Sequence, residues 1–369
     1  MTKKEKVGRL SITQMRKLIN KKAGGAVAVD LGNKNNPTIV KQWIPTGSRW
    51  LDGIVCRGKM AGIPVGKVTE IAGLEASGKS YMAIQIAANA QKMGMDVVYF
   101  DSESALDFDF LEKAGCDASN ILYIQATSVE FVLETIEELL KSNNNNMLFI
   151  WDSLALTPAI SDIEGDFNPQ STMAVKPRIL AKGMSKLTIP LANSQSTLLV
   201  LNQLKTNISR SSTDVFTTPY VTPGGKAMIY AYSLRIWLTR PKAKASFVSD
   251  ERQKYRIGNT VKVKIEKSRF GSQGRICQFK ILWGDEVGIA DEESWLDAIQ
   301  GSEHLTRSGA WYELHYSDKT STKFQTARWP EHLKDKKFKK RVLEIMDEEV
   351  VLKFDKRTGD ASNYYDLEK

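Results

Sequence analysis

Hydrophobic positions along the chain change their spacing twice. Between residues 9 and 22, Leu10, Ile12, Met15, Leu18 and Ile19 recur at roughly helical spacing. Ser11 or Thr13 stands where a helix cap belongs, and Gly24-Gly25 follows the end. A polar link, VDLGNKNNP, comes next, so residues 1–44 are expected to form either a small appendage or an arm that packs on another subunit. From about residue 45 to 288, short apolar runs alternate with longer amphipathic ones. The runs predict strands at Lys67–Ala72, Asp96–Phe100, Ile121–Ile124, Met147–Trp151, Thr197–Asn202, Ser233–Leu238, Val261–Ile265 and Gln278–Leu282. Helices are predicted at Ser80–Lys92, Val129–Lys141 and Pro177–Asn193. Such alternation implies an α/β core with a mixed, mainly parallel sheet and helices on both faces. The later strands lie closer together, which predicts an antiparallel side. Residues 289–369 are short-patterned and basic, with KDKKFKKR at 334–341, and predict a small C-terminal α+β domain.

Residues 73–80 read Gly-Leu-Glu-Ala-Ser-Gly-Lys-Ser and match G-x-x-x-x-G-K-[ST] at every fixed position. An apolar strand precedes them and an apolar-striped helix follows, which is the setting a phosphate loop needs. Gly73, Leu74, Glu75, Ala76, Ser77 and Gly78 can curl their backbone N–H groups around an anion. Lys79 supplies a charge to the β- and γ-phosphates, Ser80 a hydroxyl for Mg²⁺, and Tyr81 opens the helix behind them. Asp152 ends the strand MLFIWD, at the carboxyl edge where open α/β sheets bind ligands, and is expected to hold Mg²⁺ through water. Glu103, after YFDS, is a candidate base for the attacking water. Gln203, at the end of TLLVLNQ, can donate to a γ-phosphate and lose that bond after hydrolysis.

Charge adds a partner. Of 369 residues, 52 are Lys or Arg and 43 Asp or Glu, a net +9. From Gln203 to Lys280 sixteen cations face four anions, a surplus larger than that of the whole chain. A polyanion, nucleic acid above all, is the implied partner. The stretch opens on about 22 residues, Leu204 to Gly225, rich in Ser, Thr and Asn and without apolar periodicity; loops of that length are uncommon and usually functional or disordered. Three distant cysteines, Cys56, Cys116 and Cys277, exclude a disulfide framework and a Cys-based zinc site. No apolar run approaches the ~18 residues of a membrane helix, and MTKKEKVGRL has no apolar segment behind it. A cytoplasmic protein is expected, in the host cytoplasm if phage-encoded.

Segments over roughly residues 10–315 resemble the RecA family of recombinases. IPTGSRWLDGIVCRGKMAGIPVGKVTEIAGLEASGKS is similar to the opening of its ATPase core, YFDSESALD to its catalytic-glutamate segment and WDSLALTPAISDIEGDF to its Walker B strand and first DNA loop. LLVLNQLK and TPGGKAMIYAYSLRIWL resemble the flanks of its second DNA loop, and GAWYEL its C-terminal domain. Glu266-Lys267-Ser268-Arg269 differs from the two lysines, one residue apart, of bacterial members and resembles the phage UvsX type. The resemblance implies a RecA-like core, an N-terminal interface helix and ATP bound between filament subunits. It implies adenine contacts at Asp107, Phe110 and Trp283, with Lys267 and Arg269 reaching the neighbour's ATP. It implies DNA contacts at Glu164, Gly165, Met173, Lys176 and Arg178 of the first loop. For the second loop it implies Lys205, Asn207, Arg210, Ser211, Ser212, Thr222, Gly224, Gly225 and Lys226. The expected activity is DNA-dependent ATP hydrolysis coupled to pairing and strand exchange between single- and double-stranded DNA. Single-strand-binding and mediator proteins are expected partners. A hexameric motor on the same core is the competing reading, and a catalytically dead mediator a third, which the intact Lys79, Ser80, Glu103, Asp152 and Gln203 oppose.

Overall fold

The computed structural model describes residues 10–25, 27–32, 39–104, 106–165, 174–207, 219–240, 246–250, 255–284 and 287–351. These residues divide into two compact units, one through Lys41 and one from Gln42. In the first, α1 (Ile12–Ala23) starts at Ser11, whose hydroxyl caps Gln14 N while the Gln14 side chain caps Ser11 N in return. Gly24 ends it at φ +67°. Asn20 then pins the following chain, accepting from Ala28 N at 2.7 Å and donating to Ala28 O at 3.0 Å. No residue of α1 is buried, and its apolar stripe is exposed.

The second unit opens with β1 (Trp43–Ile44), α2 (Arg49–Val55) and β2 (Ile63–Pro64), β1 and β2 forming a short antiparallel ladder. Then come β3 (Val68–Gly73), α3 (Lys79–Lys92), β4 (Asp96–Asp101), α4 (Phe108–Lys113), β5 (Ile121–Gln125), α5 (Val129–Ser142) and β6 (Met147–Asp152). After α6 (Ile160–Glu164) and α7 (Val175–Asn193) come β7 (Thr197–Gln203), β8 (Lys205–Thr206), β9 (Tyr220–Val221) and α8 (Gly225–Ala231). The antiparallel side is β10 (Leu234–Thr239), β11 (Phe247–Ser249), β12 (Arg256–Ser268), β13 (Ile276–Trp283) and β14 (Val287–Ala290). The main sheet runs β14-β13-β12-β10-β3-β7-β6-β4-β5, with β11 on β12. It is parallel from β10 to β5 and antiparallel from β10 to β14.

Strand alternation sends successive side chains to opposite faces. On β4, Val97 and Tyr99 join the core beneath α2 and α3, while Val98 and Phe100 join the core beneath α5 and α7. On β6, Leu148 and Ile150 go one way, Phe149 and Trp151 the other. Burial on both faces is why these strands read as continuous apolar runs. The eight expected strands are present within a residue or so of their expected starts and ends, except β12. It spans thirteen residues because β10, β11 and β13 all hydrogen-bond to it. Its Gly258 carries no sequence signal for a strand, yet a Cβ there would stand 2.7 Å from Ile281 O. At 204–225 the expected structureless loop has a stem, since Lys205 pairs with Val221 and Thr206 with Tyr220.

Beyond β14, α9 (Asp291–Ile299) leads to an antiparallel sheet of β15 (Leu305–Ser308), β16 (Trp311–His315) and β17 (Ser321–Gln325). The short α10 (Trp329–His332) and then α11 (Lys336–Ile345) close over a core of Leu314, Phe324, Trp329, Phe338 and Val342. The basic run is therefore an amphipathic helix, capped by Asp335, with Phe338, Arg341, Val342 and Ile345 buried. Arg49 ties this region to α2, donating from its backbone to Asp291 at 2.7 Å and from its guanidinium to Asp347 at 2.7 Å.

Candidate active site

Gly73 is the last residue of β3 and Lys79 the first of α3. The five residues between them curl tightly. A Cβ on Gly73 would stand 2.2 Å from Ser77 Oγ, and one on Gly78 would stand 2.5 Å from Ile281 Cδ1. Gly78 also sits at φ +88°, a conformation glycine adopts without strain. The loop lines a cleft of about 460 Å³ with Lys79, Ser80, Tyr81, Glu103, Asp152, Gln203 and Leu204. Lys79 folds back, donating to Leu74 O at 3.1 Å and Gly73 O at 3.4 Å. Burial lowers its pKa, while Asp152, Glu103 and Glu75 pull it up.

Three strand ends deliver the remaining side chains. Asp152 ends β6, and its Oδ2 accepts from Ser80 Oγ at 2.8 Å and from Tyr99 OH at 2.7 Å. Burial raises the Asp152 pKa and those two hydrogen bonds lower it. Burial, then the Asp152 charge, pushes the Tyr99 phenol well up, so it remains a donor. Glu103 follows β4 on a loop organised by Asp101. One Asp101 oxygen accepts from Glu103 N at 2.8 Å and Ser104 N at 2.9 Å; the other accepts from Leu106 N at 3.2 Å and Tyr123 OH at 3.3 Å. Ser153 donates to Glu103 Oε1 at 3.2 Å, and Ser102 N donates to Asp152 O at 2.7 Å, which stitches the glutamate loop to the end of β6. Gln203 ends β7, where its side chain lines the cleft without a hydrogen-bond partner among the described residues.

An adjoining cleft of about 420 Å³ is lined by Tyr81, Asp107, Phe110 and Trp283. Tyr81 meets Phe110 edge-on at 4.2 Å and Trp283 at 6.0 Å, an aromatic lining suited to a planar base. Asp107 caps α4 by accepting from Phe110 N at 3.0 Å.

The loop residues divide. Thr222 Oγ1 accepts from Arg235 at 2.9 Å, and Pro223 O from Asn202 at 3.0 Å. Asn202 and Arg235 both bond Glu70, at 2.9 and 2.6 Å, in a buried network. Gly224 and Gly225 take positive φ and open α8, and Lys226 is exposed on it. Lys205 is exposed in the stem, and Asn207 N donates to Pro219 O at 2.9 Å. Glu164 and Gly165 close α6, and Arg178 is exposed on α7. Lys176 departs from the expected free cation. Its ammonium donates to Leu154, Ala155 and Thr157 carbonyls at 2.7, 3.2 and 2.6 Å, so all three protons are engaged at the root of the first loop. Lys267 donates to Ile229 O at 2.6 Å and Arg269 to Tyr230 O at 2.8 Å, capping the end of α8; neither lines the phosphate cleft. Met173, Arg210, Ser211 and Ser212 lie outside the described residues.

Sequence reasoning missed Tyr99 as a site residue, and the Glu70–Arg235 pair. Tyr99 had a usable signal: it sits two residues before Asp101 on one strand and so shares its face. Glu70 and Arg235 lie 165 positions apart and had none.

The family model "RecA N-terminal domain" matches residues 10–289. "Protein RecA" of Frankia alni is 35% identical over 296 residues, 80% of each chain. "Protein RecA" of Wolinella succinogenes is 33% identical over 303 residues, 82% of this chain and 81% of its own. "Protein RecA" of Streptomyces coelicolor is 31% identical over 294 residues, 80% of this chain and 74% of its own.

Proposed function

The chain belongs to the RecA family, and from that premise we propose how its residues carry the reaction. It is an ATP-dependent DNA recombinase of recombination and repair, a DNA-dependent ATPase that binds DNA and forms filaments. The observation that carries the residue roles is the convergence of Lys79, Ser80, Glu103, Asp152 and Gln203 on one cleft at the carboxyl ends of parallel strands. Lys79 leaves the Gly73 and Leu74 carbonyls for the β- and γ-phosphates, joined by the N–H groups of residues 74–80. Glu103, aimed by Asp101 and Ser153, takes the proton of the attacking water. Gln203 donates to the γ-phosphate and releases it after hydrolysis. The base lies among Tyr81, Phe110 and Trp283, with Asp107 at its edge.

The donor set of Ser80 and Asp152, two hard oxygens 2.8 Å apart, fits Mg²⁺. Ser80 would hold it directly and Asp152 through water; when bound it neutralises charge on the β- and γ-phosphates. Lys267 and Arg269 exchange the α8 carbonyls for the γ-phosphate on a neighbouring subunit, and their Glu-Lys-Ser-Arg setting favours the phage type. Residues 1–44 form the arm that joins subunits, residues 45–288 the ATPase core and residues 289–369 the small C-terminal domain. DNA is held by the first loop, through Glu164, Gly165, Met173 and Arg178, with Lys176 shaping its root. The second loop contributes Lys205, Asn207, Arg210, Ser211, Ser212, Thr222, Gly224, Gly225 and Lys226. Contacts are to the backbone and read no sequence. Single-strand-binding and mediator proteins act with it in the cytoplasm. Electron microscopy with ATP and single-stranded DNA tests the assembly: helical filaments are expected, and closed rings alone would favour a hexameric motor.

A further inference from the structure

Asp152 uses its two oxygens unequally. Oδ2 accepts both hydrogen bonds, from Ser80 and from Tyr99, while Oδ1 accepts none among the described residues. A carboxylate oxygen offers about two lone-pair sites, so Oδ2 is filled. Ser80 is part of the phosphate loop and is present whatever β4 carries. The Tyr99 phenol is an addition from another strand. Tyr99 stands opposite Ile150 in the β4–β6 ladder, and Asp101 opposite Asp152, so the ring reaches diagonally to the carboxylate on the same face. Tyr99 is only 2% exposed, within the core beneath α3, and Asp152 is its hydrogen-bond acceptor. A phenylalanine would fill the same volume; the hydroxyl serves the carboxylate alone.

We infer that Tyr99 is a positioning residue that closes Oδ2 of Asp152, leaves Oδ1 alone to face the metal site, and so selects magnesium over calcium. Calcium takes carboxylates in one- or two-oxygen fashion at variable geometry; magnesium demands a small, near-octahedral set and keeps its waters. A carboxylate with one oxygen filled and its plane fixed by two donors suits the second ion and handicaps the first. Partners that orient a ligand from behind typically change metal affinity by 10–100-fold when removed. The inference rests on the nucleotide-site reading above.

Tyr99→Phe tests it by binding rather than turnover. A fluorescent, non-hydrolysable ATP analogue is titrated with MgCl₂ or CaCl₂ in wild type and variant, and Mn²⁺ binding is followed by electron paramagnetic resonance. In the variant, half-saturation with Mg²⁺ is expected to rise by about 10-fold, with Ca²⁺ moving far less, so the preference collapses. Tyr123→Phe, which loses a bond to Asp101 instead, should keep the wild-type preference. An unchanged Mg²⁺/Ca²⁺ ratio in Tyr99→Phe would overturn the inference while leaving the ATPase reading intact. Equal loss for both ions, or loss of metal-free nucleotide binding, would overturn it as well, because the hydroxyl would then only be supporting the fold. A wild-type protein indifferent to divalent cations would instead remove the nucleotide-site reading itself.

Discussion

Individual side chains here do separable jobs that substitutions can isolate. Lys79→Ala should abolish ATP hydrolysis and ATP-dependent DNA binding, because the cation inside the phosphate loop is lost; near-normal turnover in the purified variant would show that the loop is not the active site. Glu103→Gln should bind ATP yet turn it over about 10²–10⁴-fold more slowly, since an amide cannot accept the water's proton. Filaments on DNA should then persist longer, and a steady-state rate equal to wild type would remove Glu103 from the mechanism. Asp52 offers a test of stability. It is buried beside Thr46, which donates to it from both backbone and hydroxyl, and burial raises its pKa to about 8. The folded state therefore keeps a proton that the unfolded chain gives up near pH 4, and stability drains as pH rises from about 4 to about 8. Asp52→Asn escapes that titration, so its melting temperature should gain on wild type between pH 5 and pH 8. Parallel melting curves across that range would contradict the assignment.

Elements set which of these residues can meet. The ends of β3, β4, β6 and β7 stand side by side in the sheet, which is why Gly73, Glu103, Asp152 and Gln203 share a cleft although they span 131 positions. The end of β12 points elsewhere, to the carboxyl end of α8. Substituting both Lys267 and Arg269 with Ala should leave the fold intact and remove DNA-stimulated hydrolysis. Mixing that variant with Lys79→Ala should restore part of the rate, because one class of interface pairs an intact loop with intact cations. Recovery absent despite demonstrated co-assembly would confine the pair to capping α8. Beneath the second loop, Glu70 and Arg235 form an ion pair at 2.6 Å with both side chains almost wholly buried. Glu70→Gln strands the guanidinium in the core and should cost about 3–5 kcal/mol in chemical denaturation. A loss below ~1 kcal/mol would mean that water or another anion reaches Arg235.

At the scale of the whole molecule, the chain carries an arm with nothing buried, a two-faced ATPase sheet and a small basic module, a division suited to assembly on a polyanion. No described helix is long and apolar enough to cross a membrane. Removing residues 1–41 should leave the melting temperature of the rest nearly unchanged, since α1 buries no side chain. It should also abolish filaments in electron microscopy, and persistent filaments would end the assignment of α1 to subunit contacts. Much of this design was legible in one dimension, for a physical reason. Phosphate binding by a curled backbone requires glycines and a lysine at fixed local spacing, and a doubly covered strand must be apolar along its length. The phosphate loop, Asp152, Glu103, Gln203 and the strands that carry them therefore announce themselves in the sequence. Three features did not: Tyr99 on Asp152, the triple engagement of Lys176, and the buried Glu70–Arg235–Asn202 network. Each depends on which strands become neighbours and which side chains find partners across the sheet, and strand order leaves no local trace in the chain. The sequence by itself determined what chemistry the site could perform; the tertiary structure decided which groups hold the reacting ones in place.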